Sequence, residues 1–358
     1  MPFLVENKSP FPHFAFRKTG PDGSLFGVLA VRATFEWVHD GEMIIAPTQQ
    51  PVLIADEYDG PPEQGALRLE SDLIIGKPQA DILVVGHAHA PGNISRQNWI
   101  AGIKIGEQFG KSIRVLGPRW WERGAMGFRL TPSQAVGRVP LTYRIAFGGT
   151  RRVETRQSRV EEHAFELNPV GIGFKGRFSV DEPLWPAPQT EAHDQPIRAI
   201  TDCPMPEGFG PIARPWLPRR AHLGSLSVEF VRQNPGKLPD DFDWAFYNSA
   251  PPALVYPDFL NGDEAIETHG LFPEGNSASK LPGYAAIAVL ELANGIPLPV
   301  KPKFDTLVVD TDARKVYATF RLTFPMQLHV RTVVLGFAVP PPAMDGQDKL
   351  ISLKRKGN

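Results

Sequence analysis

Proline and glycine, 37 and 33 residues, together occupy 70 of the 358 positions, about one residue in five where roughly 12% is usual. Proline removes a backbone donor and fixes φ, and glycine weakens helices, so long helices do not fit between these residues. Short strands and turns do. Leu29, Val31, Ala33, Phe35 and Trp37 alternate with Ala30, Arg32, Thr34 and Glu36, the period-two pattern of a half-buried strand. The same alternation recurs at Leu141, Tyr143, Ile145 and Phe147, and at Val316, Ala318, Phe320, Leu322 and Phe324. Apolar runs over 81–85, 285–292, 306–309 and 330–339 have strand length and end at Gly, Pro or Asp. Asn294-Gly295 between two of them predicts a hairpin. One short helix is expected, capped by Asp240 or Asp241 and carrying Phe242, Phe246 and Tyr247. The expected fold is all-β or β-dominated: antiparallel sheets in a sandwich or barrel-like arrangement, with long Pro/Gly-rich loops and few short helices.

The pattern divides the chain into an N-terminal β-rich region over 1–150, a loop-rich connection over 151–225 and a C-terminal β-rich region over 226–340. A Pro-containing, basic tail follows over 341–358. The two β-rich regions either fold apart or intertwine as one unit. An internal echo bears on this: Lys77-Pro-Gln-Ala-Asp-Ile-Leu-Val-Val85 and Lys301-Pro-Lys-Phe-Asp-Thr-Leu-Val-Val309 share six of nine residues, as a duplicated β unit would.

With 38 basic and 39 acidic residues the net charge is −1, which removes any whole-protein attraction to nucleic acid or an anionic membrane. Cys203 is the only cysteine, so no intrachain disulfide forms and a reducing compartment is expected. The first ten residues lack the basic and apolar regions of a secretory leader, and no apolar stretch approaches the roughly 20 residues that span a bilayer. These points predict a cytoplasmic protein without membrane insertion. Charge is segregated locally, however. Between Arg114 and Arg159 stand ten arginines and two acids, and between Glu161 and Asp194 the sign reverses. Either the two stretches neutralise each other, or Arg119, Arg151, Arg152 and Arg156, with Trp120 and Trp121, present a surface to an acidic partner.

His87 and His89 stand two apart at the end of an apolar run. Residues i and i+2 of a strand share a face, so both imidazoles could reach one metal ion, as a metal-dependent hydrolase would require. No further ligand lies at a recognised spacing. Gly171-Ile-Gly173 and Gly208-Phe-Gly210 are not followed by the Lys-Ser/Thr of a phosphate loop, and no Gly-x-Ser-x-Gly elbow occurs. Trp120-Trp121 beside Arg119 and Arg123 could stack on bases, but an adjacent aromatic pair in a strand more often places one ring in the core and the other at a lid or interface. The residues therefore predict no cofactor, no metal and no nucleic-acid partner.

A series of ordered motifs says more. Pro12-His-Phe-Ala-Phe16, Ser71-Asp-Leu-Ile-Ile-Gly-Lys-Pro-Gln-Ala-Asp81, Gly86-His-Ala-His-Ala-Pro91, Pro140 to Gly149 and Asn168-Pro-Val-Gly-Ile-Gly173 are followed by Pro206 to Ile212 with Trp216 and Arg219. Leu238 to Asp243, Asn248-Ser-Ala-Pro251 and Gly262-Asp-Glu264 complete it. The series resembles a bacterial family, labelled as a domain of unknown function, whose members act as adaptors or chaperones for type VI secretion effectors. The resemblance covers about residues 10 to 325. It implies a non-enzymatic role: binding a toxic effector in the cytoplasm and helping load it onto the VgrG spike. The motif glycines, prolines and aspartates read as framework, with Gly148-Gly149 permitting positive φ at a turn.

Overall fold

The alternating segment forms the strand Leu25–Glu36, but it is buried on both faces, from Gly27 to Phe35 without interruption. In the computed structural model, which describes residues 3–62, 64–154 and 159–338, the reason lies in the segment that follows the strand. Leu29, Val31, Ala33 and Phe35 enter the core as the alternation predicts. The opposite face is covered by residues 46–75: Gln49 Nε2 donates to the Thr34 carbonyl at 2.9 Å, and Asp72 accepts from Arg32 Nη1 at 3.0 Å. Polar side chains on that face are therefore buried with partners. The alternation marks which residues are polar and leaves open whether water meets them.

The architecture is β-dominated, as expected, with two short α-helices among the described residues, Leu217–Arg220 and Val228–Gln233. Its central sheet runs in the order His13–Thr19, Leu25–Glu36, Lys315–Pro325, Lys303–Asp310 and Asp81–Val85. The Leu25–Glu36 and Lys315–Pro325 strands pair antiparallel along the latter's whole length, from Lys315 opposite Glu36 to Pro325 opposite Phe26. A second sheet joins Thr190–Ala192, Phe109–Leu116, Asn98–Ile105, Ala265–Phe272, Gly275–Lys280 and Gly41–Glu42. A third has the order Leu4–Asn7, Val330–Ala338, Ala285–Leu292 and Pro297–Val300. Each sheet thus combines strands from the first and last thirds of the chain. One apolar cluster links all three, with Phe320 of the central sheet edge-on to Phe337 of the third at 5.1 Å.

The two echoed segments lie side by side as parallel neighbours, with Asp81 opposite Thr306 and Val84 opposite Val309. Their matching aspartates, Asp81 and Asp305, are both buried and each meets one cation, Lys77 Nζ at 2.6 Å and Arg321 Nε at 2.7 Å.

Two local expectations are corrected. Leu141 to Phe147 is not a strand: Tyr143–Ile145 form a 3-10 turn whose N-cap, Thr142, accepts a hydrogen bond from Arg144 N. A hydroxyl that bonds its own backbone competes with strand pairing, and Tyr143 packs edge-on against Trp216 at 5.7 Å in a separate small cluster. The turn ends at Ala146, and Phe147–Gly148 then pair in parallel with Ile172–Gly173; a Cβ on Gly148, whose φ is +147°, would lie 2.1 Å from the Asn168 carbonyl oxygen. The aromatic turn Trp244–Tyr247 does form, but Asp243 caps it through Ala245 N, while Asp241 accepts from Ser225 N and Oγ. The predicted hairpin at Asn294-Gly295 is present, with Gly295 at φ +82°.

Candidate functional site

The motif residues converge on one another. Asp81 accepts from Lys77 Nζ, from Asn248 Nδ2 at 2.8 Å, and from Ser249 N at 2.7 Å and Oγ at 3.0 Å, so the motifs at 71–81 and 248–251 share one buried carboxylate. Burial works against its charge, but the Lys77 ammonium and these hydrogen bonds outweigh it and hold the carboxyl below its ordinary value. Asn168 Nδ2 donates to the carbonyls of Tyr143 at 2.8 Å and Phe147 at 3.0 Å, which joins the 168–173 motif to the 140–149 motif. Arg219 donates to Glu70 and to the Ile212 carbonyl, each at 2.9 Å. These groups are consumed inside the protein.

His87 and His89 do share a face, with ring centroids 6.4 Å apart. A residue that no local pattern singles out joins them: Asp312, 2.8 Å from His87 Nδ1 and 3.8 Å from His89 Nε2. It arrives because the parallel strands Asp81–Val85 and Lys303–Asp310 end together, and Thr311 Oγ1 accepts from His87 N and donates to the His87 carbonyl. His87 and Asp312 line a cleft of about 180 Å³ that also holds Asp59, Arg68 and Thr142. Among the described residues no group of three or more His, Cys, Asp or Glu is arranged to hold a metal ion. Burial lowers the pKa of His89 despite the attraction of Asp312, and burial likewise lowers His13 and His269. Each of these imidazoles binds a proton more tightly in the unfolded chain, so stability falls as pH drops below about 6.5. The urea midpoint should be lower at pH 5.5 than at pH 7.5, and His269→Gln should shrink that difference. Equal midpoints for the parent protein would exclude the effect.

The arginine-rich stretch is largely paired. Arg119 and Trp121 are 7% and 3% exposed, so neither offers a surface to a partner. Arg119 Nη2 donates to the buried Glu191 at 2.8 Å, and Arg114 stands 3.7 Å from the same carboxylate. Trp120 is half-buried on the opposite side of its strand, Arg119–Gly124. Arg151 lies over the Trp185 ring at 4.5 Å, donates to the Ser179 carbonyl and reaches Glu182 at 3.4 Å. Arg152 is more open and pairs with Glu162 across the Thr150–Glu154 and Val160–Ala164 hairpin. Arg156 lies outside the described residues. The acidic stretch thus neutralises much of the basic one.

No helix among the described residues is long and apolar enough to cross a membrane. Residues 22–321 match the family described as uncharacterized protein conserved in bacteria (DUF2169). The chain belongs to this family. The DUF2169 match begins ahead of the Leu25–Glu36 strand and ends within Lys315–Pro325, so it contains most of the central sheet and every motif of the ordered series except Pro12 to Phe16. No curated protein and no solved structure matches the chain.

Proposed function

We propose that the protein is a cytoplasmic adaptor or chaperone that binds a type VI secretion effector and helps load it onto the VgrG spike. The observation that carries this reading is the fate of the motif polar groups. Asp72, Asp81, Asn168 and Arg219 are buried and hydrogen-bonded within the protein, Asp81 and Asn168 to other motifs, which supports reading these motifs as a scaffold. A scaffold of this kind leaves its outer faces to a partner.

The role predicts a spike gene and a toxin gene in the neighbourhood of this gene, and the test is co-expression with that toxin. The soluble yield of the toxin should rise several-fold and the two proteins should co-purify. A toxin equally soluble and equally secreted without this protein would refute the role.

A further inference from the structure

Among the described residues, nothing covers the outer face of the third sheet. Along Ala285–Leu292 the residues Ala286, Ala288 and Leu290 enter the core, and the alternate positions Ile287 and Val289 point away from it. In register beside them stand Gly336, Val334 and Pro299. Solvent faces of antiparallel sheets ordinarily carry polar residues, yet this one is an apolar groove of about 570 Å³ with Ile287 51% exposed.

The adjoining edge is closed to strand addition. Leu290 pairs with Leu298, and Leu292 N donates to the Ile296 carbonyl at 3.1 Å. That register places Pro297 and Pro299 where a backbone N–H would point off the edge, and proline has none. Any partner on this side would therefore lie across the face and not extend the sheet.

Charge says what kind of partner. Lys301 ends the groove and also lines a second cleft, of about 360 Å³, with Trp244, Phe26 and Lys303. Two other cations there are already matched, Lys77 by Asp81 and Arg321 by Asp305. Lys301 and Lys303 are exposed and meet no carboxylate within 4.0 Å among the described residues; Lys303 Nζ instead sits 4.2 Å from the Phe259 ring centroid. The chain's own residues after Ala338 carry Lys349, Lys354, Arg355 and Lys356 against Asp345 and Asp348, the wrong sign to satisfy these lysines.

We infer that the surface running from Ile287, Val289 and Val334 over Lys301 to Lys303 docks a protein segment of apolar residues followed by carboxylates. The inference rests on the adaptor reading for the partner's identity, and its test does not. Random peptides displayed on phage are selected against the whole protein and against Lys301→Glu/Lys303→Glu and Ile287→Asp variants. All three positions are exposed, so the melting temperatures of the variants should match the parent's. Peptides selected on the parent should combine apolar residues with excess Asp and Glu and bind more weakly as salt rises. Each variant should weaken them at least tenfold, about 1.4 kcal/mol, and reselection on the charge-reversed variant should favour Lys and Arg. Selected peptides without acidic bias, peptides bound equally by both variants, or no selected peptides at all would overturn the inference. So would a parent dimer that Ile287→Asp makes monomeric, because the face would then join two copies. If the toxin co-purifies with both variants as with the parent, this face is wrong and the adaptor role stands. If the toxin fails to co-purify with the parent while the peptides behave as described, the role is wrong and the face stands.

Discussion

Asp81→Ala should lower stability by about 3–5 kcal/mol, the usual consequence of removing one partner from a buried ion pair. The substitution strands the Lys77 ammonium, whose side chain is 4% exposed, with Thr306 Oγ1 at 2.7 Å as its remaining partner. It also strands the donors of Asn248 and Ser249. Equilibrium denaturation should show the midpoint falling with an unchanged slope. The double variant Lys77→Met/Asp81→Leu should recover part of the loss, since two apolar groups leave no charge unpaired. The wild-type pH dependence has a definite sign. Because the folded carboxyl titrates below its ordinary value near 3.8, its contribution is complete above that value and is lost as pH falls through the folded one. Asp81→Asn should therefore flatten the stability profile below about pH 4. A single variant as stable as the parent would mean that water already reaches this pair.

The second large effect is expected at Glu191, which is 2% exposed and accepts from Arg119 Nη2 at 2.8 Å and from Ile197 N at 3.1 Å. Glu191→Ala should again cost about 3–5 kcal/mol by leaving Arg119 charged and buried. Here the local readout differs, because Ile197 and Trp121 belong to a small satellite cluster with Ala187. Hydrogen exchange should quicken in Arg119–Gly124 and Leu184–Ala187, which pair with each other, ahead of the central sheet. A uniform change across all sheets would show that the satellite is not a separate unit.

Both sites illustrate what could be anticipated from the chain and what could not. The segments 81–85, 285–292 and 316–324 form strands where their apolar pattern places them, since each is bounded by a turn residue and packs on one core. Leu141 to Phe147 has the same pattern and folds otherwise, because Thr142 caps a 3-10 turn in its middle and leaves only Phe147, with Gly148, to pair as a strand. The helix Val228–Gln233 has a Ser227 cap that is visible in the sequence. It was not anticipated because six mostly exposed residues present no periodic apolar face. That His87 and His89 share a face follows from their spacing, whereas Asp312 comes from 225 residues away through a parallel pairing that no local pattern announces. Arg119 looks like surface for the same reason: its partner, Glu191, is 72 residues downstream.

The long ladder between Leu25–Glu36 and Lys315–Pro325 also sets a schedule for the nascent chain. At about 5–20 residues per second on the ribosome, roughly 300 residues must be synthesised after the first strand emerges before its partner does, some 15–60 s. Throughout that interval a strand destined for burial on both faces has, among the described residues, only its near neighbours His13–Thr19 and the two-residue Ile44–Ile45 to pair with. The central sheet closes only once Lys315–Pro325 has emerged, so until then the nascent chain is itself a client for holding factors.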